Sequence, residues 1–322
     1  MPPAMEATAS NHSSTRRCFF LVYDHQRILL ARDAYIAAAV INCITMFPAI
    51  ILNVLLMRAM SSSPVLRKPS TLLLYSLSAS DLLLGLIVQP GYIAKKVGEL
   101  TDNFDLYCRN AVIIYNIGSV LTGVLFLTIT AISIDRYLLV TSGIEYPMKV
   151  TGRRVLCVIV IMWLFMVMVT SSQYFISRSV CFLLTAITIG SCVAMTTACY
   201  TKALYTIRQQ KAAIKSASGP TSQVQANTAR YRKYTHTMIW MFVIFLFCYT
   251  PFMLTSAVAS FGTETASIWS AEALCGVIAY CNSCFNPAIM FWRVGELQNA
   301  GRNILKARSR SQSISVTTTT KI

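Results

Sequence analysis

The chain has little charge and few of the side chains that carry out covalent chemistry. Only 12% of its 322 residues are Asp, Glu, Lys or Arg, against 55% hydrophobic. That is about half the charge of an ordinary soluble domain, too little to cover a water-facing surface. Its three histidines, His12, His25 and His236, lie far apart, and no nucleophile, metal-ligand cluster or phosphate-binding loop accompanies them. An enzyme is therefore excluded, and no cofactor is expected. No inverted repeat of the kind that builds secondary transporters is visible, and no stretch has the composition of a second folded domain. Met1 to Arg17 lacks the apolar run and small-residue cleavage site of a secretory signal, so the first apolar span is expected to act as an uncleaved signal anchor that translocates the amino terminus.

What the chain has in abundance is apolar sequence in long runs, near residues 35–58, 71–94, 108–138, 154–175, 180–206, 236–260 and 268–292. A bilayer core needs roughly 20 apolar residues per helix, so each run is long enough to cross once. Backbone amides in hydrocarbon must bond within their own segment, and the alternating pattern of a lipid-facing barrel is missing. The expected fold is an all-α membrane protein, a seven-helix bundle over 35–293. An N-terminal segment (1–34) precedes it, and an amphipathic eighth helix (294–307) and a disordered tail (308–322) follow. Thr206 to Tyr234, with Gly219-Pro220 and a basic cluster, reads as a solvated loop.

With the amino terminus outside, the inner side collects Arg58, Lys68, Lys149, Arg153, Arg154, Lys202, Arg208, Lys211 and the basic tail, as cytoplasmic loops do. The outer side collects the acids Glu6, Asp24, Asp33, Glu99, Asp102, Asp105, Glu264 and Glu272. The net charge of +16 is then explained by topology and anionic inner-leaflet lipid rather than nucleic acid. Asn11-His12-Ser13 is a glycosylation sequon on the outer segment. Cys18, Cys108 and Cys181 lie near the outer face, where a disulfide is expected without the sequence fixing which two form it. Most of the other cysteines, of eleven in all, read as small buried apolar residues.

Charge within a bilayer costs about 2.5–3.5 kcal/mol per group on insertion scales, so the few polar residues inside spans ask for a reason. They are Asn53 in the first run, Asp81 in the second, Asp135-Arg136-Tyr137 closing the third, and Asn282, Ser283 and Asn286 in the seventh. Pro48, Pro90, Pro251 and Pro287 interrupt spans, and each frees a backbone bond about which a helix can pivot.

In this order and on these spans, the residues resemble the motif set of rhodopsin-class G-protein-coupled receptors, from about Tyr35 to Leu305. The resemblance rests on Leu52-Asn53-Val54, Leu77-x-x-x-Asp81, Asp135-Arg136-Tyr137, Trp163, Phe245 with Cys248-Tyr249-Thr250-Pro251, and Asn282-Ser283 before Asn286-Pro287. It implies that Arg136 pairs with Asp135 at rest and turns toward a heterotrimeric G protein when the sixth helix swings about Pro251. It implies further switch positions at Tyr137, Tyr200, Phe245, Tyr249, Asn286 and Pro287. It implies a sodium site at Asp81, Asn282 and Asn286; a purely structural hydrogen-bond network stands beside that reading, because the family's third-span serine is Leu125 here. Trp163 and the nearby methionines read as packing.

Departures from the family pattern bear on coupling. Tyr249 replaces the sixth-span tryptophan, Met290 the tyrosine that ends the Asn-Pro motif, and Cys192 the fifth-span proline. Around Tyr231 no acid is available to lock Arg136; Arg232 and Lys233 stand there instead, and high basal activity is the expectation that follows.

The resemblance also narrows the ligand. Gly118 occupies the third-span position where amine receptors carry aspartate, and Tyr280 the retinal attachment point, so neither an amine nor retinal is expected. Lys95 and Lys96 offer a clamp for an anionic lipid headgroup, or are lysines at the headgroup boundary. The outer acids, Glu272 among them, offer attraction for a basic peptide, or are a solvated rim. Ser309, Ser311, Ser313 and Ser315 suit receptor kinases and arrestin. The final Thr320-Lys321-Ile322 fits a PDZ protein. The expected location is the plasma membrane, multi-pass. Transport lacks a polar path through the spans, whereas a non-coupling scaffold or decoy stays open because of Met290 and Tyr249.

Overall fold

The computed structural model describes residues 16–19, 21–62, 68–176, 178–216, 222–260, 265–304 and 306. The sequon at Asn11, the acids Glu6 and Glu264, the serines of the tail and the terminal triplet lie outside them.

Seven helical segments are long and apolar enough to cross a membrane. They are α2 (Arg32–Ser62); α3 (Thr71–Leu83) continued by α4 (Gln89–Leu100); α5 (Phe104–Ser142); α7 (Gly152–Ser171); α8 (Arg178–Ser216); α9 (Ser222–Ser260); and α10 (Ala266–Arg293). Before them come β1 (Arg16–Cys18), β2 (Leu21–Tyr23) and α1 (His25–Leu30); α6 (Tyr146–Lys149) lies between the third and fourth crossings. A helix over 295–304, α11, follows the seventh as expected.

Burial is inverted relative to a soluble domain. Phe247 and Trp292 are 75% and 73% exposed on the bundle's outside, whereas Asn53, Asp81 and Asn282 are fully buried. Apolar side chains belong against lipid, and polar groups in the spans must find partners inside.

The helices run further than the apolar runs suggest. α8 extends to Ser216 and α9 begins at Ser222, so most of the expected Thr206–Tyr234 loop is helical. Arg208-Gln209-Gln210-Lys211-Ala212-Ala213 are strong helix formers, and an established helix propagates through such residues at little cost. Pro48, Pro251 and Pro287 sit inside α2, α9 and α10. Pro90 opens α4 directly after a π-helical turn over Leu84–Val88, the local rewinding that a missing amide encourages.

Packing is closest where side chains are smallest. A Cβ at Gly123 would overlap the end of Met166 on α7, and Trp163 Nε1 donates to Ser76 Oγ at 3.3 Å. The fourth crossing, otherwise mostly turned to lipid, is thereby fixed to α3 and α5.

The N-terminal segment is a strap rather than a loose end. β1 and β2 form an antiparallel hairpin, with Arg16 opposite Tyr23. A disulfide joins Cys18 to Cys108 on α5, with Cα atoms 5.5 Å apart, and Cys181 remains a free thiol. Of the three cysteines left open by the sequence, these two form the pair.

Candidate functional site

Polar side chains converge at three levels along the bundle. At the end remote from the strap, Arg136 Nη2 lies 2.7 Å from Asp135 Oδ2. The approach is a charge pairing without the alignment of a hydrogen bond, since neither Arg136 Nε nor Asp135 Oδ2 has a hydrogen-bond partner among the described residues. Tyr146 Oη, on α6, donates to Asp135 Oδ1 at 2.6 Å. Burial, and then the neighbouring carboxylate, push the Tyr146 phenol up from its ordinary range, so it stays a donor. Tyr137 is half-buried on the same turn. Tyr200 of α8 is buried, its ring 5.9 Å from Phe242 of α9.

On α9, Arg232 and Lys233 are exposed, and the side chain of Tyr231 lies outside the described residues. Contact across this end is supplied one turn further on. Tyr234 Oη donates to Glu296 Oε2 of α11 at 2.9 Å, and Arg293 Nε of α10 approaches Thr237 Oγ1 of α9 at 3.4 Å. An open pocket of about 550 Å³ lies beside these residues, lined also by Val294 and Asn299.

At mid-depth, Asn286 Nδ2 donates to Asp81 Oδ2 at 2.8 Å, and Asn53 Nδ2 reaches the Ser283 carbonyl at 2.9 Å. Five buried oxygens here (Asp81 Oδ1, Asn53 Oδ1, Asn282 Oδ1, Asn286 Oδ1 and Ser283 Oγ) have no hydrogen-bond partner among the described residues. One carboxylate among neutral oxygens suits a hard monovalent cation. No group of three or more His, Cys, Asp or Glu side chains could hold a metal among the described residues. Beside this cluster Phe126, Phe245 and Tyr249 pack together, Phe126 edge-on to Phe245 with centroids 4.5 Å apart and Phe245 tilted against Tyr249 at 4.6 Å. All three are buried. Pro251, two residues past Tyr249, breaks the backbone ladder next to these rings. Met290 is buried and brings no hydroxyl to the Asp135 end.

At the strap end, Lys96 Nζ lies 2.7 Å from Glu99 Oε2 and 3.1 Å above the Tyr35 ring, and Lys95 Nζ is 3.8 Å from Glu99 Oε1. Lys96 is buried in the bundle, and Glu99, expected among the outer acids, is buried with it, turned onto the lysines of its own helix. The i+3 and i+4 spacing of these residues was the signal available in the sequence. Glu272 accepts from Arg27 Nη2 at 3.1 Å and from Ser256 Oγ at 3.3 Å.

The strap is seated by Tyr107 Oη donating to the Val22 carbonyl at 3.1 Å and by Tyr23 Oη donating to Asp102 Oδ1 at 2.7 Å. The Tyr23 hydrogen bond, ahead of the nearby His25 and Arg16, holds the Asp102 carboxyl below its usual range, while burial raises the Tyr23 phenol. Asp102 takes a left-handed φ of 53° in the turn that leads from α4 to α5. Gly98 permits the same turn, since a Cβ there would lie 2.6 Å from the Tyr107 amide nitrogen.

Tyr146, Tyr234, Glu296, Phe126 and Arg27 escaped the sequence reading. Their partners lie across turns or on other helices, and no spacing along the chain marks them.

Residues 52–290 match the family described as 7 transmembrane receptor (rhodopsin family). Similar proteins include an alpha-2 adrenergic receptor of Labrus ossifagus, 33% identical over 42% of this chain and 30% of that protein. The G-protein coupled receptor 161 of Danio rerio is 29% identical over 44% of this chain and 25% of that one. The matched stretch thus spans about a quarter to a third of these relatives' length. The crystal structure of squid rhodopsin superposes with a TM-score of 0.71, at 18% identity and 83% coverage of each chain.

Proposed function

Because the chain belongs to the rhodopsin family of seven-transmembrane receptors, which are receptors rather than enzymes, we propose that it carries an extracellular signal to a heterotrimeric G protein by moving its sixth helix. The observation that supports this reading is Arg136, a largely buried guanidinium paired with Asp135, whose other carboxylate oxygen accepts from Tyr146, at the end of α5. α9 carries no acid there and closes over that end through Tyr234–Glu296 and Arg293–Thr237. Swinging α9 about Pro251 breaks these two contacts and opens the end of the bundle around Arg136, a two-state change of the kind a ligand biases by differential affinity.

In this reading the amino terminus and the strap are extracellular, the Arg136 end is cytoplasmic and the membrane is the plasma membrane. Receptor kinases and arrestin act on the serines from Ser309 to Ser315, and a PDZ protein takes the terminal Ile322. Asp81, Asn282 and Asn286 would hold a sodium ion, which supplies charge compensation for the buried carboxylate and binds best to the resting arrangement. The adrenergic name of the similar receptors does not carry over: residue 118 is glycine, with only Val88 near its missing side chain, and no carboxylate there receives an ammonium.

A second reading, a seven-helix scaffold without coupling, is favoured by one observation, the buried thioether of Met290 where relatives carry a hydroxyl. Both are tested by recording cyclic AMP and calcium in cells lacking other receptors, beside the Arg136→Ala variant. A ligand-free signal that the substitution abolishes supports coupling. Equal signals from both proteins and from empty cells, with surface expression confirmed and the Tyr234→Phe variant equally silent, count for the scaffold.

A further inference from the structure

Asp24 caps the short helix α1, its side chain accepting from the amides of Gln26 and Arg27. The cap fixes the direction of the first turn, from which Arg27 reaches across to α10. There its guanidinium pairs with Glu272 at 3.1 Å and lies 5.1 Å from the Trp269 ring centre, while Ser256 of α9 donates to the other Glu272 oxygen at 3.3 Å. A carboxylate, an indole and a hydroxyl from the two helices next to the proposed pivot thus form a recognition set for a guanidinium or ammonium. The set is in use, by the chain's own arginine.

Three observations make this a site that exchanges its occupant. Arg27 and Glu272 keep 26% and 30% of their side-chain surface exposed, so a competitor can reach them. The helix that carries Arg27 has six residues, too few to persist by itself once its contacts are lost, and the disulfide at Cys18 keeps the hairpin tethered while the helix lifts. Finally, Trp269 Nε1 is buried without an acceptor among the described residues, a donor that a peptide carbonyl satisfies and a simple amine does not. The two lysines nearby are already gathered on Glu99, so an anionic headgroup competes with an internal carboxylate whereas a cation competes only with the strap.

We infer that Glu272, Trp269 and Ser256 form a subsite for a basic side chain of an extracellular peptide, and that Arg27 is its tethered competitor. Withdrawal of Arg27 frees the carboxylate that links α1 to α10 and, through Ser256, to α9, so occupancy of the subsite is reported to the helix that moves. The inference rests on the receptor reading only for which face the ligand meets.

The experiment uses the full chain in neutral phosphatidylcholine nanodiscs, with fluorescein-labelled tetra-arginine amide as the probe and tetra-citrulline amide as the uncharged control, read by anisotropy. Arg27→Ala is expected to bind tetra-arginine about tenfold more tightly than the unsubstituted protein, since a pair plus a cation–π contact lowers apparent affinity by roughly that factor. Glu272→Gln added to Arg27→Ala is expected to remove the gain, and tetra-citrulline is expected to distinguish none of the proteins. Equal affinities in the first comparison, or a gain that survives Glu272→Gln, overturn the inference. Should Arg27→Ala fail to fold, hydrogen exchange on the unsubstituted protein decides: saturating tetra-arginine is expected to speed exchange of the amides over 25–31, and unchanged rates overturn it. No G protein is present in either measurement, so failure here and failure of coupling are read separately.

Discussion

Tyr234→Phe removes one hydroxyl and little else, and on the reading above it loosens the sixth helix. That hydroxyl donates at 2.9 Å to a Glu296 carboxylate oxygen, and both side chains are partly buried. A hydrogen bond to a charged group contributes about 1.5–3 kcal/mol when well enclosed; partial solvent access lowers the expectation here to about 1–2 kcal/mol. If the bond exists only while α9 is closed, its loss multiplies the active-to-resting ratio by about 5 to 30. A receptor with roughly 1% of its molecules active at rest then rises to between about 5% and 25%. The assay is ligand-free second-messenger signal per receptor at the cell surface, for the unsubstituted protein, Tyr234→Phe, Glu296→Gln and the double variant. The two single changes delete the same bond, so the double variant should exceed neither by much, a coupling that a double-mutant cycle measures. A Tyr234→Phe signal within twofold of the unsubstituted protein would refute the reasoning, and additive single effects would show that the two residues act apart.

Three further outcomes follow from the same geometry. Cys18→Ser opens a bridge spanning 90 residues; chain-entropy reasoning puts the loss near 4–5 kcal/mol, visible as a sharp fall in surface expression, and Cys181→Ser, which removes a free thiol, should leave expression unchanged. Asp102 is held below its usual range by Tyr23, so its contribution to stability is fully present above the unfolded Asp value of about 4 and fades as pH falls through the lower folded value; Asp102→Asn should melt below the unsubstituted protein at pH 7, and the gap between the two melting temperatures should narrow as pH falls below about 4. Sodium at about ten times its dissociation constant adds about 1.4 kcal/mol to the resting form, or about 3–6 °C in melting temperature, relative to choline chloride; Asp81→Asn should abolish the difference, and equal melting in both salts would leave the Asp81 cluster a purely structural network.

Seven crossings, their order and the kinks at Pro251 and Pro287 are legible in the sequence, because the bilayer demands long uninterrupted apolar runs and penalises every polar residue placed within them. For the same reason Asp81, Asn282, Asn286 and Arg136 stand out against their neighbours. Helix ends are less legible: α9 reaches back to Ser222 through polar residues that lipid does not select and whose helix comes from local propensity. What the side chains touch is decided by tertiary structure alone. Glu99 and Glu272 look alike in the sequence, yet one is buried against two lysines of its own helix and the other is held by an arginine 245 residues away. Cys18, Cys108 and Cys181 are equivalent candidates until the hairpin brings the first two within 5.5 Å. Apolar length is written along the chain, because each helix answers to the membrane by itself; pairing across helices depends on their rotation and depth, which only the packed bundle sets.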